Sequence, residues 1–293
     1  MRVDAHHHLW SLGAVAYPWL IAKGVIRFFG DPTPIQRDYP LARFRQDAAG
    51  FEASVHIQVG AADPWAEAQW VQSVADDAPD WPLVQVAFCD LTAPDAGHVI
   101  DRLQGLSTLR GLRQIVGRAP GEDAATGTDA LLDNPAFAQG LRDLAVRGLS
   151  FDLQLIPEQY ARMARVLDRA PDTPIALCHA GSPHDRSAQG LADWARALVH
   201  LSDRPNVVCK LSGLGMFDHG WSVDSIRPIV ETCLAQFGPS RCMFGSNFPV
   251  DSLYSDYQRL SEAYHLLVPS QDHDAVFGAN AARFYGINPL IGS

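Results

Sequence analysis

The chain is poor in cysteine and has no close pair of them. Its 293 residues hold five: Cys89, Cys178, Cys209, Cys233 and Cys242. An odd number, wide spacing and no CxxC argue against both a disulfide framework and a cysteine zinc knuckle. Most lie in apolar runs, where a free thiol behaves as a small hydrophobe, so they read as reduced thiols of a cytoplasmic protein. Basic residues are also scarce, 23 against 33 acidic ones, for a net charge of −10. No basic run occurs, which argues against nucleic acid or an anionic membrane surface as partner. No apolar run approaches the roughly 20 residues of a membrane span, and the start lacks the apolar core of a secretory signal. No GxGxxG or GxxxxGKS loop follows any strand candidate, so a nucleotide-phosphate cradle is not expected. No linker or low-complexity tract divides the chain, and one domain is expected over residues 1–293.

What the chain does contain is alternation. Short β-branched runs occur at Arg2–His6, Ala53–Gly60, Leu83–Leu91, Leu109–Ile115, Leu149–Leu155, Pro174–Ala180, Val207–Ser212 and Cys242–Asn247. Between most of them lie stretches with apolar residues at helical spacing, such as "NPAFAQGLRDLAVRG" with Asn134 as a cap before Pro135. Strand-then-helix repeated around eight strands predicts an α/β fold, a distorted (β/α)8 TIM barrel. An open doubly wound sheet is the alternative. The first connection, about residues 9–52, is unusually long and carries Trp10, Tyr17, Trp19, Phe28, Phe29 and Tyr39. Such an insertion would cover the top of the barrel, where barrel active sites lie; a packed surface loop is the competing reading.

Barrel chemistry sits at the carboxyl ends of the strands, so the polar residues there are the candidates. The first strand, "RVDAHHH", alternates so that Asp4, His6 and His8 share one face and His7 the other. An HxH pair can place two imidazoles on one ligand, with Asp4 available to orient a ring. The second strand offers His56 and Gln58, the fourth Arg113, the fifth Asp152 and Gln154. The sixth ends in His179, the seventh carries Lys210, and the eighth ends in Ser246 and Asn247. Each alone has a structural explanation. Lys210 and Arg113 could both be paired internally, for instance with Asp152, instead of meeting a substrate.

The ordered series "VDAHHHLW", "YPWL", "SVHIQVG", "LRGLRQI", "LCHAGSP", "CKLSGL", "RCMFGSNFPVD" and "NAARFYGI" resembles the amidohydrolase superfamily. The likeness is to the branch holding sugar-acid lactonases and 2-pyrone-4,6-dicarboxylate lactonase. It implies that His6, His8 and His179 form the catalytic centre and are the ligands of any divalent metal, zinc above all. Some members use zinc and the pyrone lactonase type works without metal, so the resemblance leaves metal dependence open. It also implies an aspartate on the eighth strand to activate water, where this chain has Asn247. An amide cannot take a proton as a carboxylate does. The expected routes are a metal-activated water or a histidine such as His56 or His179 protonating near neutral pH. Asp251, four residues on, reads rather as a loop or cap residue.

The function expected is hydrolysis of a small carboxylated lactone, with His6, His8, His179 and Asn247 catalytic. His56, Arg113, Lys210, Trp19 and Asp152 are the expected substrate contacts. The partner is then a small anionic molecule, and a homo-oligomer is compatible with the sequence. A non-oxidative decarboxylase and a catalytically silent metabolite-binding barrel are the alternatives.

Overall fold

The computed structural model describes residues 1–288, so the last five residues of the expected domain lie outside it. Eight strands form one sheet in sequential order: β1 (Val3–His7), β2 (Ala53–Ile57), β3 (Leu83–Ala87), β4 (Leu109–Leu112), β5 (Ser150–Leu153), β6 (Ile175–Leu177), β7 (Val207–Leu211) and β8 (Cys242–Phe244). All neighbouring pairs from β1 to β8 are parallel. The principal helices, one after each strand, are α1 (Leu41–Asp47), α2 (Pro64–Asp76), α3 (Ala96–Leu103), α4 (Pro135–Val146), α5 (Tyr160–Leu167), α6 (Ala188–Ser202), α7 (Val223–Phe237) and α8 (Tyr257–Leu267). A ninth, α9 (Asn280–Tyr285), follows. This is the TIM barrel that the alternation predicts. The helix starts follow their caps: Asn134 Oδ1 accepts from Ala136 N at 3.0 Å, just before Pro135.

The barrel interior is packed with small and branched residues: Val3 and Ala5 of β1, Ala53, Val55 and Ile57 of β2, Val84 and Val86 of β3. A larger apolar layer lies between the sheet and the helices. The seam between β8 and β1 is closed just past the end of β8. There Asn247 N donates to His6 O at 2.7 Å and His8 N to Phe248 O at 2.7 Å. Gly245 permits this approach, since a Cβ there would lie 2.6 Å from His6 Cβ.

Strict alternation fails in β1. The strand pairs Asp4 with Ser54 and then His7 with His56, so three steps on β1 match two on β2. The extra residue is a bulge, and it resets which way the side chains point. Asp4 faces the helices, where Tyr257 Oη donates to Oδ2 at 2.9 Å. Its Oδ1 accepts from the backbone N of His6 and of Ser246, each at 3.0 Å. Asp4 therefore holds backbone rather than orienting an imidazole, and it does not share a face with His6. His7 turns away from the mouth, as expected, and stacks on Phe44 of α1 at 3.8 Å.

Several strands stop short of their predicted ends. β6 ends at Leu177 because the chain enters left-handed backbone at His179 (φ 55°), Ala180 (φ 51°) and Ser182 (φ 58°). β8 ends at Phe244, and Asn247 also has a positive φ of 56°. Non-glycine residues rarely adopt this conformation, and strained backbone of this kind concentrates at functional sites. All five cysteines are buried and free. No described helix is long and apolar enough to cross a membrane.

Candidate active site

A cavity of about 590 Å³ opens at the carboxyl ends of the strands. His8, Arg113, His179 and Asn247 line its floor from four different strand ends. The residue 9–52 insertion supplies Trp10, Trp19, Arg27, Phe28 and Phe29 to its walls. The insertion is thus part of the mouth and not a remote surface loop. Trp19 is fixed there by its indole N–H, which donates to Val59 O at 2.8 Å.

His6 lies fully buried just below the floor. Its ring is 5.2 Å from that of His8 and 4.5 Å from that of His179, centroid to centroid. The bulge in β1 and the left-handed turn after β6 bring these three rings together. Gly213 makes room for the third, because a Cβ there would fall 2.3 Å from His179 Nδ1. Burial, reinforced by the neighbouring positive groups, pushes all three imidazoles down. His8 falls to about 3, with Arg113 as the second cause after burial. His6 and His179 lie well below their ordinary value. All three are neutral near pH 7, so the expected histidine protonation near neutrality does not suit this site.

Neutral imidazoles are what a metal ion requires. Both ring nitrogens of His6 are buried with no hydrogen-bond partner. His8 Nδ1 lies 2.7 Å from Ile57 O and must carry the proton, which leaves Nε2 as a lone pair. His179 Nδ1 is engaged with Ser212 Oγ at 3.0 Å. His6, His8 and His179 therefore offer neutral nitrogen donors of the kind a divalent ion takes. Among the described residues, the three side chains whose ligand atoms all lie within 4.8 Å of one another are His6, Asp152 and Cys178, not the three histidines. That second set is chemically unsuited. Burial and the Asp152 charge raise the Cys178 thiol to about 12, and both Asp152 oxygens are already engaged.

Arg113 is 5% exposed and pairs with no carboxylate among the described residues. It donates from Nη1 to Gln154 Oε1 at 3.2 Å and from Nη2 to Gln58 O. Its Nε has no partner, and each terminal nitrogen keeps one free N–H. Gln58, Gln114, Gln154, Arg27 and Arg118 also line the cavity, and among the described residues no Asp or Glu does. Of the three arginines Arg27 is paired with Glu122, so among the described residues Arg113 and Arg118 are the lining cations with no carboxylate salt bridge.

The structure does not bring Lys210, Asp152 or His56 to this cavity. Lys210 and Asp152 point into the barrel at a deeper level, both fully buried, and form an ion pair. Lys210 Nζ also donates to Ala5 O at 2.7 Å, and Tyr285 Oη to Asp152 Oδ1 at 2.8 Å. His56 points outward from β2, because Val55 and Ile57 take the inward positions. There Leu9 N donates to its Nδ1 at 3.1 Å, and Glu67 lies 3.6 Å from its Nε2.

Asp251 lies in the short 3-10 helix Val250–Leu253 that follows β8. It is 1% exposed and lies directly behind Asn247, whose Nδ2 donates to Asp251 Oδ1 at 3.1 Å. Burial raises its carboxyl to about 7, opposed by that bond and by Arg186. Gln114 and Arg118 also escaped the sequence reading. Gln114 adjoins Arg113 in "LRQI" and could have been found from that strand end, whereas Arg118 sits in an irregular turn.

Residues 3–287 match the family model described as Amidohydrolase. An uncharacterized protein, y4mH of Sinorhizobium fredii, is 36% identical over 97% of this chain and 98% of its own length. The L-fucono-1,5-lactonase of Burkholderia multivorans is 30% identical over 98% of this chain and 96% of its own. A crystal structure of a Burkholderia multivorans amidohydrolase with bound zinc superposes with a TM-score of 0.83 at 27% identity, covering 98% of this chain and 100% of that one. On the fold, the strand-end histidines and these matches, the chain belongs to the amidohydrolase family.

Proposed function

We propose that this protein hydrolyses a small lactone bearing a carboxylate, by attack of water on the ring carbonyl at the barrel mouth. The observation that carries the reading is Arg113, a buried guanidinium with free N–H groups in a cavity lined by no carboxylate among the described residues. A guanidinium in that setting recognises a planar carboxylate through paired hydrogen bonds, which contribute about 1.5–3 kcal/mol when charged. The lactonase name of the Burkholderia multivorans relative supports the ester-opening chemistry.

The residues divide the work. Arg113 anchors the carboxylate and so fixes the ring relative to the histidines. Gln58 holds a buried Oε1 without a partner, suited to accept from a substrate hydroxyl. Trp19, Phe28 and Phe29 cover the ring and limit bulk water. His6, His8 and His179 would hold a divalent ion of the zinc type, and the Burkholderia multivorans amidohydrolase was crystallised with bound zinc. Such an ion supplies Lewis acidity toward water and carbonyl. Asn247 cannot serve as the base and instead places an amide beside His8, with Oδ1 3.3 Å from Nε2.

The test is a panel of lactones, with and without a carboxylate, followed by acid release and product analysis, alongside metal analysis of the purified protein. Ring-opened hydroxy acid from the carboxylated members is the expected product. Carbon dioxide release would replace the reading with decarboxylation. Binding with no turnover across the panel would replace it with a silent barrel.

A further inference from the structure

We propose that Asp251 is a positioning residue whose carboxylate orients the amide of Asn247, so that its oxygen and Nε2 of His8 jointly face a cation. This rests on the metal-binding part of the proposed function and on no substrate.

The argument is one of hydrogen-bond accounting. His8 Nδ1 faces a carbonyl oxygen, Ile57 O, at 2.7 Å, so it carries the ring proton. Nε2 is then a lone pair. Asn247 gives its N–H to Asp251 Oδ1 at 3.1 Å, which turns its oxygen toward that lone pair at 3.3 Å. Two acceptors face each other with no proton available to either. In water such a pair separates; in a buried site it is unfavourable unless a positive charge sits against both. Two zinc ligands in a tetrahedral set, each about 2.0–2.1 Å from the ion, lie about 3.3 Å apart. The spacing is therefore the one a shared ion would use.

Asp251 decides which way the amide points. Without it, a half-turn of the Asn247 side chain would let Nδ2 donate to His8 Nε2 and occupy the lone pair. The lock is local and rigid. Asp251 N donates to Asn247 O at 3.1 Å, and Asp251 O accepts from Tyr254 N and Ser255 N, each at 3.1 Å. Asp251 Oδ2 and two guanidinium nitrogens of Arg186 are buried and unpartnered behind it. Asp251 does not line the cavity, so it acts through Asn247. The carboxylate missing from the end of β8 is thus retained one turn further along the chain, in a supporting role.

The experiment measures the affinity of metal-stripped full-length protein for Zn²⁺ by chelator competition at about pH 8, where metal ligands are deprotonated. Asp251→Asn keeps shape and lets Asn247 turn, so zinc affinity should fall by at least about tenfold. Asn247→Ala should fall comparably, and adding Asp251→Asn to it should cost nothing more. The exchanged variant Asn247→Asp/Asp251→Asn restores a directed oxygen and should match or exceed the parent. That rescue is the outcome a merely structural role would not produce, and it decides the matter should Asp251→Asn alone fail to fold. A parent that binds no zinc, an unchanged Asp251→Asn, or an exchanged variant as weak as Asp251→Asn would overturn the proposal. Lactone turnover does not enter this titration, so failure of the lactonase reading leaves its result standing.

Discussion

Lys210 separates two accounts of this barrel, because the sequence places it at the substrate and the structure buries it beneath. Its ammonium and the Asp152 carboxylate are both 0% exposed and pair directly. Lys210→Met keeps most of the volume but strands the Asp152 charge, with Tyr285 and the weak donor Cys178 still bonded to it. Removing one partner of a buried pair costs about 3–5 kcal/mol. For a chain of this size each kcal/mol lowers Tm by about 2–4 °C, so a fall of roughly 10 °C is expected. Lys210→Met/Asp152→Asn removes the stranded charge and should recover a large part of the loss. The assay pairs urea and thermal unfolding with steady-state kinetics of the folded variant at a temperature where it is native. KM should stay within about threefold of the parent, a change under about 1 kcal/mol. A variant as stable as the parent but with KM raised by an order of magnitude would refute the reasoning and return Lys210 to the substrate.

Two further outcomes follow from buried or bridging charges. Burial raises the Asp4 carboxyl from 3.8 to about 6, so the folded state holds its proton more tightly than the unfolded chain does. That contribution to stability is full below about pH 3.8 and is lost as pH rises through about 6, a swing of about 3 kcal/mol. Asp4→Asn keeps an acceptor and has no charge to bury, so its stability relative to the parent should rise between about pH 4 and pH 8 in denaturant titrations; a pH-independent difference would count against it. Arg27 and Glu122 pair at 2.9 Å across the rim, joining the insertion to the segment after β4. Glu122→Gln should change stability by less than about 1 kcal/mol yet raise KM a few-fold, because the pair is partly exposed but shapes the mouth; an unchanged KM would remove that role.

The barrel and much of the candidate site were legible because both rest on local patterns. Apolar strands buried on both faces, capped helices and the HxH at the first strand end are written in short stretches. His179 and Arg113 follow from the rule that barrel chemistry gathers at strand ends. What failed was the assumption that the polar face of each strand is the functional one. In β2 the small apolar face, Ala53, Val55 and Ile57, fills the interior and sends His56 outward. Gln58 reaches the cavity only because the strand has already ended at Ile57. In β1 a single bulge separates Asp4 from His6, and alternation has no way to register it. Depth within the barrel is equally invisible. Lys210 and Arg113 both look like inward cations, but one lies at the level of Ala5 and the other at the mouth. Asp251 depends on the turn after β8, which has no periodicity to read.

The most direct measurement of the central claim compares Arg113→Met with the parent on matched lactones that differ only in a carboxylate. The account predicts that kcat/KM for the carboxylated lactone falls by roughly 10–100-fold, the kinetic equivalent of a lost charged hydrogen-bond pair of about 1.5–3 kcal/mol. The uncharged lactone, already slow, should change by less than about threefold. Equal losses on both substrates, with the fold intact, would contradict carboxylate recognition by Arg113 and with it the proposed substrate class.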